Sequence, residues 1–321
     1  TMTLIEVQRK YNTQAKCVKL LETLGWGKVV KCSYCNSTKT SRQKTAKTRH
    51  SCKNCKRSFS VLVDTIFEDT RLPLPKWFIV IAMMLNSKTG ISAKEIQRNI
   101  GGSYKTSYYL AMRIRIGMLM KDTKLNGMIE MDESYFGGRA RKAQKNTDTN
   151  KANLSTVALK RGRGTNKISV TGMVQRKGMV KTKVIEKLTK RNLLHMLKTY
   201  AKKDNSVLVT DGFKSYKHLE TYIDRLEINH SKEFSRGMVH VNTIEGFWSY
   251  VKNGIRGSFK AISKKYLPFY LTEYEWKFNH RNYRGNQFEK YLKNALKQEK
   301  ELEYWKAKDS KKVKEVVYGN S

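Results

Sequence analysis

Apolar positions alternate with polar ones at two different periods along the chain, and the change of period divides it. Leu4, Val7, Tyr11, Val18, Leu21 and Leu24 recur at helical spacing, and Gly25 and Gly27 then break the pattern, so a helix is predicted over 4–24. Residues 28–64 carry only short β-like runs, such as Ser58-Phe59-Ser60-Val61-Leu62-Val63. After the turn Leu72-Pro73-Leu74-Pro75 the helical period returns over 76–120. Within it, Ser92 with Glu95 three residues later opens a helix, Gly101-Gly102 makes a turn, and a further helix runs from Ser103 to Arg115. From Gly127 the period shortens to that of strands: 127–135, then 168–174 and 180–185 about a turn at Lys177-Gly178. A helix over 191–203, a buried strand over 206–212, a short helix over 216–223 and a strand over 225–229 follow, then helices over 243–255 and 264–280. A charged helical stretch begins at Asn286, with Phe288, Tyr291, Leu292, Ala295 and Leu296 on one face; this face is a candidate contact between copies of the chain.

Three early strands joined by tight turns imply an antiparallel meander, and the later strand–helix alternation adds parallel strands to the same sheet. The expected class is α+β: an N-terminal helix (1–27), a zinc ribbon (28–64), a helical, helix-turn-helix-like DNA-recognition region (65–122), a ribonuclease H-like mixed-sheet domain (123–285) with a basic insertion at 139–167, and a charged helical tail (286–321).

Charge narrows the partners. Among 321 residues, 65 lysines and arginines oppose 27 acids, a net +38. Such an excess calls for a polyanion, nucleic acid first of all, although a ribosomal or membrane-surface protein would share it. No run approaches the ~18 apolar residues of a membrane span, and the first twenty residues carry no apolar signal core, so a cytoplasmic, nucleoid-associated protein without membrane contact is expected. Cysteines refine the picture. Cys32-x-x-Cys35 and Cys52-x-x-Cys55 are two knuckles offering four thiolates for one structural Zn²⁺ in a module otherwise too small for a core. Cys17 sits alone on an apolar helix face and reads as core.

Acids are scarce, so two of them in apolar strands stand out. Asp132 lies in Met128-Ile129-Glu130-Met131-Asp132-Glu133, and Asp211 ends Val207-Leu208-Val209-Thr210. A carboxylate there is costly unless a cation meets it, and a divalent metal is the natural partner. Glu245 lies on a helix whose polar stripe, Asn242, Glu245, Ser249 and Lys252, is spaced 3, 4 and 3, with Ile244, Phe247 and Val251 opposite. Alternation puts Glu130 on the face of Asp132, as an accessory acid, and Glu133 on the other, available to a basic partner. His240, His280, Trp248 and Trp276 read as structural. On the two helices before the sheet, Tyr104, Lys105, Ser107, Arg113 and Arg115 are candidates for DNA contact.

Taken together, the segments Cys32-Ser33-Tyr34-Cys35 with Cys52-Lys53-Asn54-Cys55, Met131 to Arg139, Thr210-Asp211-Gly212, His240 to Lys252 and Glu275 to Arg281 resemble bacterial insertion-sequence transposases of the ISXO type, allied to the Merlin transposases, in the same order over about 28–285. The resemblance implies a DNA transposase that binds terminal inverted repeats and catalyses metal-dependent strand cleavage and strand transfer. It implies Asp132, Asp211 and Glu245 as catalytic ligands of two Mg²⁺ ions, replaceable by Mn²⁺, and Lys252 as a contact to DNA near the scissile phosphate. Relatives use either Glu or Asn as the third residue; Glu245 is favoured over Asn242 because a carboxylate is the better ligand for a hard cation. Terminal-repeat and target DNA are the implied partners, with a homodimer or larger assembly on DNA. A metal nuclease that does not transpose, and a DNA-binding regulator that no longer cuts, are the rival readings.

Overall fold

The structure is a computed structural model, and it describes residues 2–121, 123–137, 167–185, 188–228, 240–263 and 265–297. The basic insertion and the end of the charged tail lie outside the described residues.

Helix α1 (Leu4–Lys10) is opened by a Thr3–Glu6 capping box, and α2 (Gln14–Gly25) by Thr13. The single helix expected over 4–24 is thus two. Thr13 takes an extended backbone and its hydroxyl accepts from Lys16 N–H, so a new helix starts where the apolar period alone continues. The ribbon follows as three short antiparallel strands, β1 (Thr40–Arg42), β2 (His50–Cys52) and β3 (Ser58–Phe59). It sits on the end of α2, where the Glu22 carboxylate meets both Arg42 and His50.

Then come α3 (Leu74–Asn86), α4 (Ala93–Ile100) and α5 (Tyr104–Gly117), the last two capped by Ser92 and Ser103. The larger sheet contains β4 (Leu125–Phe136), β5 (Ile168–Gln175), β6 (Val180–Val184), β7 (Ala201–Asp211) and β8 (Asp224–Ile228) in the order β6-β5-β4-β7-β8. β5 is antiparallel to β4 and to β6, whereas β7 is parallel to β4 and β8 to β7. This is the mixed sheet expected of a ribonuclease H-like domain. Helix α6 (Lys190–Tyr200) covers one face with Leu193, Met196 and Leu197 over Ile129, Met131 and Leu208. Helices α7 (Asn242–Gly254) and α8 (Leu267–Asn279) cover the other, with Ile244, Phe247, Trp248 and Val251 over Val170, Val174 and Val209. Trp248 lies so close to β5 that a Cβ on Gly172 would stand 2.6 Å from its ring.

Helix α9 (Gln287–Ala295) differs from expectation. Phe288, Tyr291, Leu292 and Ala295 are fully buried, and they belong to the core that α1, α2, α3 and α5 form with Phe269, Tyr270 and Trp276 of α8. Tyr291 donates to the Ile114 carbonyl at 3.0 Å. The face read as a contact between copies is therefore consumed within one chain.

Candidate functional site

Asp132 and Asp211 lie on neighbouring parallel strands. The paired positions of β4 and β7 run to Met131 opposite Thr210, and each acid is the next residue on its strand. Adjacent strands lie about 4.8 Å apart, so the two carboxylates leave the sheet side by side. The Phe213 N–H donates to Asp211 at 3.1 Å and fixes the turn that follows. Below it, Arg225 donates to the Thr210 hydroxyl and pairs with Glu220 and Glu227, bracing the end of β7 against β8.

Glu245 comes from α7, and the helix is placed by an acid read differently from the sequence. The cap residue of α7 is Val241, which has no side-chain acceptor to offer the open N–H groups. Glu130 of β4 supplies the acceptor instead. Its oxygens accept from Thr243 N–H (2.9 Å), Ile244 N–H (3.0 Å) and the Thr243 hydroxyl (2.9 Å), and from Arg176 Nε at 2.6 Å. His240 Nδ1 stands 3.5 Å away. A carboxylate at a helix N-terminus compensates both the open N–H groups and the helix dipole. Glu130 is fully buried and committed to these donors, so it is a helix anchor rather than an accessory acid. Sequence reasoning misses Arg176; its one signal is a cation at the tight turn between β5 and β6.

The polar stripe of α7 emerges as its spacing requires: Asn242, Glu245 and Ser249 are exposed and Lys252 half-buried, with Ile244, Phe247 and Val251 beneath. The acids share one electrostatic neighbourhood. Burial raises the Asp132 carboxyl to about 7, helped by the charges of Glu133, Asp211 and Glu245. Lys252 is lowered by burial, while attraction to Asp132 opposes the shift. Glu133 faces the other side of the sheet and accepts from Tyr216 at 2.5 Å. The three carboxylates do not converge as tightly as the cysteines do: among the described residues, only the cysteine set brings three or more His, Cys, Asp or Glu ligand atoms to metal-holding spacing. Oxygen donors on two adjacent strands and a helix suit hard divalent cations.

Cys32, Cys35, Cys52 and Cys55 place their four sulfurs within 4.8 Å of one another. Cys32–Cys55 is 3.7 Å and Cys35–Cys52 is 3.6 Å. A tetrahedron with zinc–sulfur bonds of ~2.3 Å has edges of roughly 3.8 Å, so the cluster is compatible with zinc. The Cys55 N–H points at Cys52 Sγ from 3.5 Å and pulls that thiol down to about 6, which favours the thiolate. His50 is held instead by Glu22. Cys17 is core: it is fully buried, and burial pushes its thiol up to about 12.

Of the candidate DNA contacts on α5, Tyr104 and Lys105 are exposed. Three are not available. Ser107 is fully buried, and Arg113 is mostly enclosed, stacked on Trp77 and bonded to the Glu68 carbonyl. Arg115 is 2% exposed, pairs with Glu273 at 2.8 Å and lies on the Tyr270 ring. Arg115 faces the core because α5 packs on α8, and Arg113 because it meets Trp77 of α3 and the segment before it, contacts invisible at the helical spacing of α5 itself.

Known proteins of transposable elements resemble this chain. Residues 124–279 match the family described as the ISXO2-like transposase domain. A transposase-like protein of Haemophilus influenzae is 34% identical over 101 residues, 31% of this chain and 80% of that protein. A protein in the transposable element ISH50 of Halobacterium salinarum is 25% identical over 275 residues, 83% of this chain and 91% of that protein. Among solved structures, a pre-cleavage Mos1 transpososome aligns with 67% of this chain and 76% of that one, at 11% identity and a TM-score of 0.27, too loose a likeness to carry an argument. On the family match and these relatives, the chain belongs to the insertion-sequence transposases with an ISXO2-like, DDE-type domain.

Proposed function

We propose that the chain binds the terminal inverted repeats of its element and catalyses both cleavage and strand transfer, with Asp132, Asp211 and Glu245 as its metal-binding acids. The observation that carries this reading is the placement of Asp132, within β4, beside Asp211, at the end of the adjacent β7, under a helix that presents Glu245 to the same field. Two Mg²⁺ ions there, or Mn²⁺ in their place, would activate an attacking oxygen and stabilise a leaving one, which serves hydrolysis and joining alike. The chain's own part is to hold the acids in register, through the strand pairing and the Glu130 anchor, and to offer Lys252 to the phosphate backbone. Asn242, at the first position of α7, orients water or phosphate beside Glu245. The ribbon holds one structural zinc, and with the exposed part of α4 and α5, including Tyr104 and Lys105, it recognises the repeat. Two element ends need two active sites, so at least a dimer forms on DNA.

The test is incubation with labelled terminal-repeat DNA and Mg²⁺, scored for nicks and for joined products. Asp132→Ala, Asp211→Ala and Glu245→Ala should each remove both products by orders of magnitude while repeat binding persists. Asn242→Ala should be milder. A dead Asn242 variant beside an active Glu245 variant would move the third role to Asn242; nicks without joined products from the unmodified chain would make it a nuclease.

A further inference from the structure

A cavity of about 580 Å³ lies away from the acids, where the end of α8, the helix α9 and the segment leading into β4 meet. Its rim is basic. Lys290 and Lys293 lie on the exposed face of α9, opposite the face that α9 buries, Lys297 follows just beyond its end, and Lys121 lines the other wall. Among the described residues, no carboxylate lines it. Its remaining wall is aromatic and amide in character. Tyr283 is 40% exposed, with the Lys290 ammonium 4.1 Å from its ring centre. Trp276 stacks on His280 at 3.9 Å, and its indole N–H is a buried donor with no partner among the described residues. His280 Nδ1 bonds to the Trp276 carbonyl at 2.8 Å, and burial and the Lys290 charge lower its pKa against that bond.

Clustered ammonium groups around a concavity with an exposed ring and amides match a nucleic-acid strand: phosphates for the lysines and a base face for Tyr283. The position makes this a second contact. The cavity includes Met179, beside the β5–β6 turn, whose Arg176 N–H bonds to the Met128 carbonyl. Met128 precedes Asp132 by four strand residues, roughly 13 Å at about 3.3 Å per residue. A strand held here is therefore several nucleotides from any phosphate at the acids.

We propose that this cavity binds the sugar–phosphate backbone of a DNA strand outside the cleaved position, with a base on Tyr283. The inference rests on the reading that the chain acts on DNA. To test it, the full-length chain is irradiated with an oligothymidylate carrying 5-iododeoxyuridine, crosslinks are mapped by mass spectrometry, and binding is measured against salt. A crosslink is expected at Tyr283. In the doubly substituted Lys290→Gln/Lys293→Gln chain it should fall to near background, and the slope of log affinity against log salt should shrink by roughly 1.4, at about 0.7 per phosphate contact on a single strand. Lys202→Gln/Lys203→Gln, equally exposed but outside the cavity, should leave the Tyr283 crosslink intact. Crosslinks elsewhere on the chain but none at Tyr283, or one indifferent to the cavity lysines, overturn the proposal alone; no crosslink anywhere overturns the DNA reading beneath it. Thymidine monophosphate at an equal nucleotide concentration should compete poorly, and full competition would make this a mononucleotide site instead.

Discussion

Two acids two residues apart on β4 have opposite energetic roles. Glu130 is surrounded by donors, and its charge is matched by Arg176 and by the N-terminus of α7. Removing it strands those donors in the interior. Glu130→Ala should therefore cost about 3–5 kcal/mol, the range for breaking a buried ion pair, read as a lowered midpoint in denaturant unfolding. Asp132 is the reverse case: burial and neighbouring negative charge make its ionised form unfavourable in the folded chain. Asp132→Asn should therefore raise the melting temperature measured in chelator, where no divalent ion repays the burial of charge, while removing activity. An Asp132→Asn variant no more stable than its parent under those conditions would mean that the acids do not load strain onto this strand. For the zinc cluster, Cys35→Ser should lose the metal, found otherwise at about one per chain, and melt the ribbon, because so small a module has little else to hold it.

Helix α8 is an element clamped from two sides. Glu273 is fully buried against Arg115 of α5 and Lys277 one turn on. Glu275 accepts from Thr182 N–H and its hydroxyl, both at 2.6 Å, and from Lys181 of β6. Helix α5 and the larger sheet thus grip opposite faces of one turn of α8. Burial pushes the Glu273 carboxyl up, but Lys277 and Arg115 overcome it and the net shift is downward. A depressed carboxylate stabilises the fold above its unfolded value, near 4.5, and that contribution fades as the pH falls through the folded value. Glu273→Gln should accordingly destabilise the chain at pH 7, and the gap from the parent should narrow below about pH 4, near the free carboxylate value, in unfolding measured across the range. This element also marks how far the sequence can be read. The faces of α7 and α9 and the strand order follow from spacing, because burial on one side leaves a period. Arg115 is misread because its partner lies 158 residues downstream, and Glu130 because the helix it caps lies 113 residues downstream. The Thr13 cap is missed because the apolar spacing of α1 continues in α2 across the break. Local pattern carries no trace of such long-range partners.

At the scale of the whole molecule, the boundary that the change of period draws near residue 123 is not a boundary in packing. The N-terminal helices share a core with α8 and α9, which follow the sheet in sequence. The loop before α4 is held the same way: the Lys88 and Thr89 carbonyls accept from Tyr250 and Tyr274, at 2.7 and 2.8 Å. Gly90 (φ +95°) lies so near Phe259 that a Cβ would stand 2.6 Å from the ring. The helix that bears Glu245 is therefore fastened to the loop before α4 toward its far end and to Glu130 at its near end. A chain starting at residue 123 would uncover Phe269, Tyr270, Phe288, Tyr291 and Leu292 together, a patch that soluble domains rarely leave open. Such a fragment should aggregate rather than behave as an isolated catalytic domain. The full chain gives the cleaner measurement. Phe288→Ala removes a fully buried ring from the shared core and should cost about 3–5 kcal/mol. If α9 belonged to a contact between copies, the variant would lower the measured mass of the assembly on DNA and leave unfolding of the single chain untouched. The packing requires the opposite: the denaturation midpoint of the DNA-free chain falls, fluorescence and circular dichroism still change together, and the mass of the complex on DNA stays the same. Separate melting of α9, ahead of an unchanged main transition, would show that the helix is an appendage after all.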